Sequence, residues 1–120
     1  MLNIRIGVVG NCVAGKSTLV TALRDKGYNA VNIPQEHSVS KKFWRRLTPD
    51  VIIYLRCTLE TARQRRRIPW GQERLDEQWE LLAEVREAAH IMILTDALTK
   101  EQVLAVAEQA LSQYTQKEIN

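Results

Sequence analysis

Cysteine is scarce in this chain, with only Cys12 and Cys57 among 120 residues. Two thiols are too few for a disulfide framework or for a four-ligand zinc site. A reducing, cytoplasmic setting is the expectation that follows. Long hydrophobic runs are missing as well. No stretch approaches the roughly 18 apolar residues that a membrane span requires, and the first residues, Met1-Leu2-Asn3-Ile4-Arg5, lack the basic start and long apolar run of a signal peptide. No repeat and no low-complexity linker occurs. Excess charge is lacking too: 17 Lys and Arg stand against 14 Asp and Glu, a net charge of +3. So mild a balance makes nucleic acid an unlikely partner.

What remains is ordinary globular material. Hydrophobic residues make up 45% and charged residues 26% of a 13.8 kDa chain, enough to build one domain with a core of its own. We place that domain over residues 1–112 and read residues 113–120 as a frayed tail.

The hydrophobic pattern alternates strand and helix. Residues 4–9 are a short apolar run ending at Gly10, as a buried parallel strand would. From Lys16 the period changes, with Leu19, Val20 and Leu23 at helical spacing and Gly27 placed to stop the helix. A second strand is predicted at 30–33, stopped by Pro34. Phe43, Trp44 and Leu47 suggest a short helix within 35–49. Residues 51–55 are continuous and β-branched, the strongest strand signal. Thr58 is a suitable N-cap for a helix over 60–66, and Pro69-Trp70-Gly71 breaks the chain. Leu75, Trp79, Leu82 and Val85 line one face of the next helix. A fourth strand follows at 91–94, and Thr99 caps a last helix bearing Val103, Leu104, Ala107, Ala110 and Leu111. Such alternation predicts an α/β fold in three layers: a parallel sheet of four or five strands with helices on both faces. Ligands bind such sheets beyond the C-terminal strand ends.

One segment carries chemistry. Gly10-Asn11-Cys12-Val13-Ala14-Gly15-Lys16-Ser17, followed by Thr18, satisfies G-x-x-x-x-G-K-[ST] at every fixed position. From typical residue frequencies, a random chain of this length would contain the pattern roughly 0.4% of the time. Here it also lies between a predicted strand and a predicted helix. Two glycines let the backbone curl so that successive N–H groups point at phosphate oxygens, and the helix start adds partial positive charge. Lys16 is then expected to reach the β- and γ-phosphates of ATP or another nucleoside triphosphate, and the Ser17 hydroxyl to ligate Mg²⁺. The GTPase motifs D-x-x-G and N-K-x-D do not occur.

The chain resembles the nucleoside and nucleotide kinase group, the adenylate- and shikimate-kinase-like P-loop folds. GNCVAGKST at the start, PDVIIYLRCTLETARQRR at 49–66 and HIMILTDALTKEQVLAVAEQAL at 90–111 carry the resemblance, over about half the chain. It implies transfer of the γ-phosphoryl group of Mg²⁺–ATP to a small acceptor, with arginines near residues 63–67 clamping the transferring phosphate and residues 95–98 near the base.

This chain is shorter than those kinases, with only 34–48 between its second strand and Pro49. Its strand at 51–55 ends in Arg56, where a metal-organising acid could otherwise stand. Glu36, the acid just after the second strand, is therefore the candidate metal organiser or general base, with His37 beside it. Among Arg63, Arg65, Arg66 and Arg67, helical spacing groups Arg63 with Arg66 or Arg67 toward the site and turns Arg65 away. The catalytic candidates are thus Lys16, Glu36, Arg63 and Arg66. The short length leaves a second reading open: a minimal nucleotide-binding module or switch without its own acceptor site, acting with a partner protein or a second copy. Lys41, Lys42, Arg45 and Arg46 form a further basic patch that a polyanion could use.

Overall fold

The computed structural model describes residues 4–10, 15–33, 49–65, 67 and 71–119, with side chains as far as Gln113. Four strands and five helices are described within that range: β1 (Arg5–Gly10), α1 (Lys16–Asp25), β2 (Asn29–Asn32), β3 (Val51–Arg56), α2 (Leu59–Arg65), α3 (Gln72–Leu81), α4 (Ala83–Ala88), β4 (Ile91–Leu94) and α5 (Lys100–Ile119). All strands run parallel, in the order β2-β1-β3-β4. The four strands expected from sequence are present, each within a residue or so of its predicted bounds.

The apolar strand residues divide between two faces because successive side chains point opposite ways. On one face Ile6, Val8, Ile53, Leu55, Ile91 and Ile93 are buried against Leu19, Val20 and Leu23 of α1, Ala62 of α2, and Ala107 and Leu111 of α5. On the other face Val9, Ile52 and Tyr54 are buried with Ile33, Leu82 and Val85, and Trp79 packs against them. The sheet is therefore covered by helices on both sides. Each fully buried Leu, Ile or Val contributes about 1.5–3 kcal/mol relative to its exposed state, so these two half-cores fix which face each helix takes. At the β4 edge the second face runs out of cover: Met92 and Leu94 are 50% and 59% exposed.

Local signals set most boundaries. The Tyr28 N–H donates to the Leu23 carbonyl and the Gly27 N–H to the Arg24 carbonyl, the double closure that ends a helix when a left-handed residue follows it. The Thr58 hydroxyl accepts from the Thr61 N–H at 3.3 Å, capping α2. Thr99 and Gln102 form a reciprocal capping box at α5, with bonds of 2.8 and 3.1 Å.

Three details differ from the sequence reading. The single helix expected from Glu73 onward is divided at Leu82, whose φ and ψ of −94° and 9° leave the helical region. Gln78 is only 2% exposed; it shares the buried stripe of Leu75, Leu82 and Val85, where the pattern had marked only the apolar members. Helix α5 continues to Ile119, past the residue 112 at which the sequence reading ended the domain. Of the helix suggested within 35–49, residues 35–48 lie outside the described ones. Among the described residues no helix is long and apolar enough to cross a membrane.

Candidate functional site

The strand order places a reversal at the centre of the sheet. From β1 the chain moves outward to β2, and from β3 it moves outward the other way to β4. The crevice beyond the C-terminal ends of β1 and β3 is thus a topological switch point, where open parallel sheets bind ligands. Gly10 ends β1 there, paired in register with Leu55. A Cβ on Gly10 would stand 2.2 Å from the Leu55 carbonyl oxygen. The glycine is therefore required by the close approach of the two strands.

Gly15, the second fixed glycine, is required for a different reason. It is the N-cap of α1 with φ of 102° and ψ of 23°, a left-handed conformation that costs a residue with a Cβ about 1–2 kcal/mol. Among the described residues, no atom beyond its chain neighbours lies within 4 Å of a Cβ placed there, and the demand shown is conformational. Its carbonyl accepts the first helical bond, from Leu19 N–H at 3.0 Å. Lys16, Ser17 and Thr18 follow in the first turn of α1, with Ser17 and Thr18 exposed and Lys16 half-buried. The Asn32 side-chain amide, at the end of β2, donates to the Ser17 hydroxyl oxygen at 3.3 Å. The first turn of the helix thus meets the end of the neighbouring crossover strand.

A cavity of about 610 Å³ opens in front of this turn. One wall is Gly15 through Leu19; the opposite wall is Arg65 with Thr95, Leu98, Thr99, Lys100 and Val103. That volume falls within the range of small-molecule sites, roughly 300–1,000 Å³. Lys16, Lys100 and Arg65 give it positive charge, and no Asp or Glu lines it among the described residues.

The Arg65 guanidinium is held against the far wall, donating to the Thr95 hydroxyl at 3.0 Å and to the Thr95 carbonyl at 2.6 Å. Thr95 is itself 1% exposed, and its N–H donates to the Arg56 carbonyl at 2.9 Å. This reverses the assignment from helical spacing, which turned Arg65 away and Arg63 inward. The buried residue of α2 is Ala62, so the sheet-facing side passes through Ala62 and, three residues on, Arg65. Arg63 and Arg65 are both exposed as residues, but the Arg63 guanidinium extends toward Gly71 and not toward Thr95.

The turn after β4 is tied to α2 a second time. One carboxylate oxygen of Asp96 accepts from the Thr58 N–H at 2.8 Å, the Thr58 hydroxyl at 2.7 Å and the Thr61 hydroxyl at 2.6 Å. Burial pushes the Asp96 carboxyl up, but the bonds from Thr61 and Thr58 outweigh it and hold its pKa below the ordinary 3.8. The wall that faces the first turn of α1 is therefore fixed at both ends of α2: Asp96 at its N-terminus and Thr95 at its last residue.

No protein-family model matches the chain, and no curated protein matches it. Function must therefore be argued from the site itself.

Of the residues singled out from sequence, Gly15, Lys16, Ser17 and Thr18 meet at the cavity, with Gly10 at the strand end behind them. Asn11, Cys12, Val13, Ala14, Glu36, His37 and Arg66 lie outside the described residues, as does the basic patch of Lys41, Lys42, Arg45 and Arg46. The sequence reading missed Thr99, Lys100 and Val103 as lining, and Asp96 as a clamp. The available signal for Asp96 was register: β3 and β4 pair in parallel, so the residues just after Arg56 and just after Leu94 arrive at one place.

Proposed function

We propose that the cavity before α1 binds the Mg²⁺ complex of ATP or another nucleoside triphosphate, and that the chain transfers the γ-phosphoryl group to a small acceptor. The observation that carries this reading is the pairing of a left-handed Gly15 with a lysine and a hydroxyl in the first helical turn, all facing a cationic cavity of about 610 Å³. A helix start of this kind offers unpaired N–H groups and partial positive charge to an anion. Lys16 adds a full charge for the phosphates. The P-loop form of the fold and the kinase resemblance belong to this proposal.

Mg²⁺ takes oxygen ligands and keeps several waters, needing one or two protein groups beside the phosphates. The Ser17 hydroxyl fits that demand: it is exposed, and its one described hydrogen bond, from the Asn32 amide, is long. Glu36 is the proposed second group toward the metal. When bound, the ion would neutralise charge on the β- and γ-phosphates. Arg65 replaces Arg63 as the proposed cation on the opposite wall.

Calorimetric titration with ATP, with and without Mg²⁺, tests the assignment. ATP is expected to bind the wild type with Mg²⁺ present, and Lys16→Ala to weaken that binding by roughly tenfold or more, the loss of one charge-assisted hydrogen bond, without loss of the folded state by circular dichroism. Equal affinities of the two proteins would remove this cavity as the phosphate site. Release of ADP on addition of a nucleoside, nucleotide or small alcohol would identify the acceptor; tight binding without turnover across that panel would favour the switch or module reading instead.

A further inference from the structure

The C-terminal end of β3 borders a second hollow, of about 280 Å³, where the strand meets α3. Its wall includes Tyr54, Arg56, Thr58, Asp76 and Trp79. None of Lys16, Ser17 and Arg65 belongs to it.

Arg56 is the notable group. Its backbone is fixed from the first cavity's side, because its carbonyl accepts from both the N–H and the hydroxyl of Thr95, at 2.9 and 3.3 Å. Its guanidinium lies over the Trp79 ring, 4.4 Å from the centroid. The indole is itself held. Tyr54 meets it edge-on, with ring centroids 5.9 Å apart and planes at 89°. The Arg86 guanidinium lies over the same ring at 3.6 Å and donates to the Trp79 carbonyl.

Among the described residues no carboxylate pairs with Arg56; Glu77 of α3 pairs with Arg74. Asp76, on the same wall, accepts from the Gln72 amide at 3.0 Å instead. An exposed guanidinium is thus positioned by an aromatic face, which leaves its fork of N–H donors to a ligand. Among the described residues, the fully buried Tyr54 hydroxyl beside it has no hydrogen-bond partner. Arg86 is near enough to oppose the rise that burial imposes on its pKa, yet the two do not meet hydrogen-bond geometry.

We propose that this second hollow binds a small anionic molecule, whose carboxylate or phosphate group is received by Arg56. A volume just below the usual 300–1,000 Å³ range of ligand sites suits a small acid and not a nucleotide. The proposal stands independently of the nucleotide reading.

The test is a heteronuclear NMR titration of the ¹⁵N-labelled chain with sodium malonate, and separately with inorganic phosphate, at ionic strength held constant with chloride. The Trp79 indole N–H, identified by its loss in Trp79→Phe, and the Arg56 Nε–H are expected to shift and saturate. In Arg56→Met, which keeps most of the aliphatic stem over the indole, the affinity should fall roughly tenfold or more. Saturation at Trp79 by malonate, with phosphate perturbing only Gly15 to Thr18, assigns a carboxylate-bearing ligand; saturation at Trp79 by phosphate assigns a phosphate-bearing one. Shifts at Trp79 that fail to saturate, or that persist at full affinity in Arg56→Met, overturn the proposal. Should Arg56→Met lose its native spectrum, Arg56→Gln is read by the same criteria.

Discussion

Substituting alanine for each fixed glycine of the G-x-x-x-x-G-K-[ST] segment should damage the protein in two distinguishable ways. At Gly10 the obstacle is backbone. A Cβ would lie 2.2 Å from the Leu55 oxygen, 3.0 Å from the Leu55 carbonyl carbon and 3.1 Å from its Cβ. To reach even the 3.0 Å limit of real Cβ contacts, the ends of β1 and β3 must separate by about 0.8 Å. Both strands sit in the middle of the sheet, with both faces covered, so the displacement is carried into a close-packed core. Overpacking of this kind costs about 1–3 kcal/mol, occasionally more. At Gly15 the space is open and the cost is conformational, about 1–2 kcal/mol for a residue with a Cβ in the left-handed region.

Urea unfolding separates the two. With a slope of roughly 1–3 kcal/mol per molar urea for a domain of this kind, Gly10→Ala and Gly15→Ala should each lower the midpoint by about half a molar or more. The contrast lies in rescue. Asparagine tolerates the left-handed region because its side chain bonds locally, so Gly15→Asn should recover part of the loss. Gly10→Asn should recover none, since a Cβ of any kind meets the Leu55 oxygen. A midpoint for Gly10→Ala equal to wild type would refute the close-approach argument. Equal losses in Gly15→Ala and Gly15→Asn would refute the conformational one.

The Arg65 placement predicts that Arg65→Ala weakens ATP binding roughly tenfold, by loss of a charged group at the wall, while Arg63→Ala stays within about twofold; calorimetry on both variants checks it, and the reverse order would restore the original phase of the helix. The Asp96 clamp predicts a pH dependence. Its native pKa lies below its unfolded value, so its contribution is present above that unfolded value, near 3.8, and is lost as pH falls through the lower native one. Wild-type stability should therefore drop over that acid window by more than that of Asp96→Asn, as followed by thermal melts from pH 6 to about pH 2; parallel curves would show that the carboxylate contributes nothing.

Much of the fold was legible because hydrophobic period and punctuation agreed. Val51 to Leu55 could only be an interior strand: five consecutive apolar residues too short for a membrane and too β-branched for a surface helix. Gly27 and Thr99 marked helix ends through chemistry that the backbone then used. The reading failed where a polar residue occupied a buried stripe, as Gln78 does, because a hydropathy pattern registers residue type and not position. It also joined α3 to α4, since Trp79, Leu82 and Val85 pack into one cluster across the interruption at Leu82.

The site was legible on one wall only. Gly15, Lys16 and Ser17 are contiguous, so their joint geometry is a local matter of one turn and one helix start. The opposite wall is assembled from α2, the turn after β4 and the first turns of α5, which are separated by up to 38 residues at the Thr58–Asp96 bond. Sequence supplies the period of α2 but not its rotation about its own axis. That rotation is decided by Ala62, the small residue that lets the helix lie close against the sheet. Once Ala62 is inward, Arg65 follows it by three residues, and Thr95, which is buried at the end of β4, offers that guanidinium both a hydroxyl and a carbonyl. The smallest side chain of α2 thus determines which of its arginines faces the cavity.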